Sequence, residues 1–196
     1  MEHKSVEEFS VRTLELGGLG AALQALRLPY GKETRSDCLF YYRNPPGTHP
    51  DDDRSLIAYG ERIWLCPKDS SLLTALVKRG DEHAKVLRGV IVWAEINAPR
   101  YWHVELDTYR VGAERLSSNS TMHQQGKGLD EDALIDVKEN LTEGTMQKRV
   151  WLFSYQTLRR IYFQRRKHRL PQWRTFCKWI ETLPFAEEFI TIEKPQ

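Results

Sequence analysis

Apolar positions change period along the chain, and the changes mark out its elements. Residues 9–16 (FSVRTLEL) alternate and hold enough β-branched side chains to predict a strand. Residues 19–28 switch to helical spacing, with Gly18 and Gly20 as the leading turn. That glycine pair lacks the third glycine of a dinucleotide fingerprint, and no acidic residue follows a second strand where one is needed. Residues 30–53 are turn-rich, ending in Asp51-Asp52-Asp53. Adjacent carboxylates point in different directions, so this reads as an exposed acidic turn rather than a metal site. A short strand is expected at 61–66, a helix at 70–78 stopped by Gly80, and a further helical turn at 81–87. The strongest strand signal is 90–96 (VIVWAEI).

That strand runs straight into Asn97, a good N-cap, and Pro99, at home in a first turn. A helix of about three turns is expected. Trp102, Leu106 and Tyr109 form its apolar stripe, while His103, Asp107 and Arg110 form a polar one converging on a loop of Glu114, Arg115, Ser117, Ser118, Asn119, Ser120 and Thr121. Many donors beside a fixed cation suit an anionic, hydroxyl-bearing ligand. The plain alternative is a solvated helix face and an ordinary loop.

Farther on, 124–128 reads as a flexible link, 129–141 as an acidic helix, and 146–155 as a return toward the core. A helix over 155–169 buries Leu158, Ile161 and Tyr162, and the next members of those rows are Arg165 and His168. Burying a guanidinium is costly unless an anion meets it, which makes Arg165 the leading phosphate ligand and Arg166 the second. Pro171 opens a last helix with Trp173, Phe176, Cys177 and Ile180 on one stripe, ended by Pro184. Cys177 there reads as a core thiol rather than a nucleophile.

The chain has 196 residues, enough for one domain with a real core, and 40% hydrophobic content argues against disorder. Three cysteines without C-x-x-C spacing, no apolar run long enough to cross a membrane and no signal-peptide core lead us to expect a cytoplasmic protein. The net charge of +2 hides an asymmetry: residues 144–180 hold ten basic and no acidic residues, leaving nineteen basic against 27 acidic elsewhere. An anionic partner of that segment is implied, nucleotide or nucleic acid. Arg159, Arg160, Arg166, Lys167 and Arg169 would form the phosphate stripe of a nucleic-acid binder if exposed together.

Two segments resemble the flavin-dependent thymidylate synthases. That family has a strand ending in Glu-Ile, a helix closing in Arg-His-Arg, then a serine-rich loop; here stand Glu95-Ile96, Thr108-Tyr109-Arg110, and Ser118 and Ser120. A later helix with an aromatic pair and an Arg, then Gln-Trp, is matched by Tyr162-Phe163, Arg165-Arg166 and Gln172-Trp173. Only Arg110 of the triplet is kept. The resemblance implies a single α+β domain, a mixed or antiparallel sheet packed against helices, assembled as a homo-oligomer. It also implies a dUMP-like pyrimidine deoxynucleotide held by Ser118 or Ser120 and by Arg165 or Arg166, beside Arg110; the chemistry of the loop itself adds Arg115, Ser117 and Asn119 as further candidates. FAD would be the cofactor, with Tyr109 and His168 on its side, and one-carbon transfer to the base the reaction. His103 and Glu114 are the general-base candidates. A non-catalytic nucleotide or nucleic-acid binder that keeps the fold and its anion site is the other reading.

Overall fold

The computed structural model describes residues 8–31, 40–42, 56–58, 61–63, 65, 67–120, 123 and 126–193. The Asp51–Asp53 turn lies outside the described residues. Strand β5 (Ile91–Pro99) is the axis of a four-stranded antiparallel sheet that also holds β1 (Ser10–Gly17), β6 (Ala113–Ser118) and β7 (Met146–Ser154), in the order β1-β5-β7-β6. Val92, Ala94 and Ile96 of β5 are fully buried, the period-two pattern of a strand with one face on a core. A second antiparallel sheet joins β2 (Phe40–Tyr42), β3 (Leu56–Ala58) and β4 (Glu61–Ile63) in the order β2-β4-β3.

The helices are α1 (Leu19–Arg27), α2 (Pro67–Arg79), α3 (Arg100–Leu106), α4 (Glu131–Glu139), α5 (Tyr155–Arg165), α6 (Pro171–Glu181) and α7 (Ala186–Phe189). This is the expected α+β class. Gly18 makes the β1–α1 turn possible: its φ is +80°, and a Cβ there would strike the Gly89 carbonyl. The core is aromatic. Trp102 meets Phe9, Trp173 and Phe176 at ring distances of 5.0, 4.6 and 5.5 Å, and Phe176 continues to Phe153 and Trp179 at 5.8 and 5.0 Å. Each such ring buries roughly 150–250 Å², so Trp102, Trp151, Trp173 and Trp179 serve the interior rather than a stacking surface. Cys177 is buried among them, and burial pushes its thiol up to about 12.

Two local expectations are corrected. Asn97 is no cap: β5 continues through Asn97, Ala98 and Pro99, paired with Lys148, Gln147 and Met146 of β7. The helix begins at Arg100 and ends at Leu106. Its first N–H groups donate to backbone carbonyls instead, Arg100 to Thr145 and Tyr101 to Glu143, both at 3.0 Å. The expected hydroxyl loop is largely strand β6, with Glu114 opposite Leu152, Arg115 opposite Trp151 and Ser118 opposite Arg149. A partner strand satisfies its backbone on one side, which outweighs the turn preference of Ser and Asn. The register slips between Arg115 and Ser117, a bulge in an edge strand.

Candidate functional site

Helix α3 and the turn after it support two polar clusters. In the first, Arg165 at the end of α5 lies with its guanidinium carbon 4.6 Å from the Trp173 ring centroid and 5.6 Å from that of Tyr109. Its Nη1 donates to Glu105 Oε2 at 3.1 Å, its Nε donates to the Tyr109 hydroxyl at 2.8 Å, and His168 Nε2 lies 2.9 Å from Nη1. Tyr109 in turn donates to Gln164 Oε1 at 2.9 Å, and the Trp173 indole donates to Glu105 at 2.8 Å. The structure thus brings together Tyr109, Arg165 and His168, three of the expected site residues. It also supplies the anion that Arg165 needs from inside the molecule. Arg165, expected to meet an external phosphate, is paired inside the chain with Glu105.

The second cluster lies where α3 meets β6 and β7. Arg149 is buried, with Nη1 donating to Asp107 Oδ2 at 2.9 Å and Nε donating to Gln147 Oε1 at 3.0 Å. Arg115 reaches the same Asp107 oxygen at 3.6 Å. Asn119 continues the ladder beyond β6, since its Oδ1 accepts from Lys148 N at 3.0 Å and its carbonyl accepts from Gln147 Nε2 at 3.2 Å. Below them His103 is fully buried, its Nε2–H donating to the Gln147 carbonyl at 2.9 Å. Burial, reinforced by Arg149 and Arg115, holds this imidazole down to about 4. His103, the general-base candidate on the polar stripe, is thus a shielded, weakly basic ring rather than one open to the surface.

The remaining expected residues are dispersed. Arg110 is exposed in the turn after α3, and its side chain has no partner among the described residues. Glu114, Ser117 and Ser118 are exposed on β6, and Ser120 Oγ accepts from His123 N at 3.4 Å. Arg166 sits elsewhere: it pairs with Glu193 at 2.9 Å, a bond that raises its guanidinium further, and lies 4.9 Å from the Phe163 ring centroid. There it lines a 430 Å³ pocket with Asp81, Arg159, Arg160, Phe163 and Glu193.

The proposed stripe of exposed arginines is broken. Arg159 is buried and donates to the Ile190 and Ile192 carbonyls at 2.7 and 2.6 Å, while Arg160 is paired with Asp81 at 2.8 Å. Among the described residues no cluster suits a metal ion and no helix is long and apolar enough to cross a membrane.

Sequence reasoning missed Arg149 as a site residue. The signal was there in its parity, because Arg149, Trp151 and Phe153 alternate on one buried face of β7. A charge in the place of a core residue marks a polar interior.

No family model and none of the curated proteins matches this sequence. Solved structures do match. Two crystal structures of the flavin-dependent thymidylate synthase ThyX from Helicobacter pylori with FAD and dUMP superpose with TM-scores of 0.60 and 0.62 at 14% and 15% identity, covering 92% and 93% of this chain and 97% of each of those. The UMP/dUMP methylase PolB from Streptomyces cacaoi, bound with 5-Br dUMP, gives 0.57 at 12% identity over 92% of this chain and 91% of that one. Over nearly its whole length, the chain has the fold of flavin-dependent thymidylate synthase.

Proposed function

We propose that this chain is a nucleotide-binding protein whose ligand is a pyrimidine deoxynucleotide such as dUMP, held beside the turn after α3 and the exposed edge of β6. The observation that carries this reading is Arg110, an exposed guanidinium with no partner among the described residues, next in sequence to a strand that exposes the Ser117 and Ser118 hydroxyls. The shared fold with structures that hold dUMP or 5-Br dUMP supports it. Arg110 would take the phosphate by charge-assisted hydrogen bonds, each worth about 1.5–3 kcal/mol. Arg115, Ser117, Ser118, Asn119 and Ser120 would orient phosphate and sugar, and Arg165 would act by fixing Tyr109. Arg166 and the homo-oligomer enter as further parts of this reading, a second copy bringing Arg166 to the ligand.

Flavin chemistry is the weaker reading. Tyr109 and His168, the two residues expected on the flavin side, are both bound to Arg165. Within one chain the polar atoms of both are thus engaged with Arg165, and no reaction step is assigned to FAD. Glu114, exposed on β6, is the general base that a catalytic version would use.

A thermal-shift panel of dUMP, dCMP, dTMP, FMN and FAD tests the proposal, because a ligand of the folded state raises Tm with its affinity. Stabilisation by dUMP, reduced at least about tenfold in affinity by Arg110→Ala, is expected. A yellow protein that retains FAD would restore the enzyme reading, and indifference to every nucleotide would end the proposal. Light scattering reports the assembly.

A further inference from the structure

A second pocket, of 260 Å³, opens where α3 begins, α4 ends and β7 starts. Arg100, Lys138, Leu141, Gln147 and Arg149 line it, and among the described residues no carboxylate does. We infer that it is a binding site for a phosphate group, carried by a phosphomonoester or present as the free ion.

Arg149 is built in rather than draped over the surface. It belongs to the buried face of β7, and Asp107 and Gln147 fix two edges of its guanidinium. Its Nη2 has no hydrogen-bond partner among the described residues. A fixed guanidinium whose Nη2 still has donors to offer is what an oxyanion oxygen recognises. Asp107 is shared between Arg149 and Arg115, and Arg100 has only a 3.7 Å contact with Glu143 at the rim. Burial lowers the Arg149 guanidinium most, Asp107 works against that, and the charges of Arg115 and Arg100 lower it further. An anion in the pocket relieves that repulsion.

Size agrees with the assignment. The 260 Å³ cavity equals roughly nine waters at ~30 Å³ each, which accommodates a hydrated phosphate. Gln147, whose Oε1 faces Arg149 and whose Nε2 reaches the Asn119 carbonyl, ties this pocket to the strand edge. The inference does not depend on the nucleotide reading, because none of its lining residues is Arg110 or a β6 hydroxyl.

The test is a titration of inorganic phosphate into the full chain at low ionic strength, where exposed charges are least screened, followed by calorimetry and phosphorus NMR. Saturable binding is expected, weakened at least about tenfold by Arg100→Gln and by Arg149→Lys, which keeps the charge but loses the fork. Arg79→Gln, on the exposed end of α2, is expected to bind as wild type. Arg100 is only partly exposed, so circular dichroism checks the fold of both Arg100→Gln and Arg149→Lys. Competition by dUMP but not deoxyuridine would identify a nucleotide phosphate as the source. Simultaneous binding of dUMP and phosphate would identify a separate ion or ester. No saturable phosphate binding, or binding indifferent to both substitutions, overturns the site. If dUMP binds and depends on Arg110 while phosphate alone does not bind, this inference falls and the nucleotide reading stands.

Discussion

Arg165 and Glu105, sixty positions apart, form an ion pair at 3.1 Å directly beside the Trp173 ring, whose indole N–H shares the same carboxylate oxygen. The pair joins α3 to α5 and fastens α6 to both. Replacing Glu105 by Ala removes the acceptor from two partly or fully shielded donors at once. The expected cost is about 1–3 kcal/mol in urea unfolding, discounted for the partial exposure of both charges. In a double-mutant cycle with Arg165→Ala, the coupling should be of similar sign and about 1 kcal/mol or more. Coupling near zero would show that the cluster leaves the nucleotide side of Arg165 free after all.

His103 makes stability depend on pH. The folded chain keeps the ring neutral down to about 4, against 6.5 for an exposed imidazole. Between those values the unfolded chain binds a proton that the folded chain refuses. Stability is therefore complete above about pH 6.5 and declines as pH falls toward 4, by about 3 kcal/mol in all. Urea midpoints measured from pH 7.5 to 4.5 should show this slope, and His103→Gln, which keeps a donor for the Gln147 carbonyl, should flatten it.

Gly112 stands just before β6 at φ +74°, and a Cβ there would lie 2.5 Å from Thr157 Oγ1 and 2.6 Å from Ser154 Oγ. Those two hydroxyls are bonded to one another and Thr157 also donates to the Val111 carbonyl, so neither can give way cheaply. Gly112→Ala is expected to destabilise by about 1–3 kcal/mol. It should also displace the strand edge, lowering dUMP affinity more than a loss of stability alone explains.

The thiol of Cys177, held at about 12, is almost wholly protonated near neutrality. Iodoacetamide at pH 8 should leave the Cys177 peptide unmodified in the native protein and label it fully in urea, as peptide mass mapping would show.

The elements with strong periodicity were legible in the sequence. β1, β5, α1 and α6 fall close to where the pattern predicts them, and the Leu158, Ile161 and Tyr162 stripe is buried. What could not be read was pairing across long separations. Ser117 and Ser118 have loop composition, and only β7, some thirty residues later, turns them into a strand. Asn97 has the chemistry of a cap, but the pairing of β5 with β7 carries the strand past it. The inward row of α5 did foretell that Arg165 meets an anion. That the anion is Glu105 depends on how two helices cross, which the sequence does not display.

The Trp179 indole donates to Thr13 Oγ1 at 2.9 Å, and α6 packs against β1. During synthesis at about 5–20 residues per second, the hydrogen-bond acceptor leaves the ribosome on the order of ten to thirty seconds before its donor exists. Until α6 has been made, both this hydrogen bond and the packing of α6 on β1 are missing from the nascent chain. Contacts between segments so far apart in sequence slow folding, because the loop between them must close before they are gained.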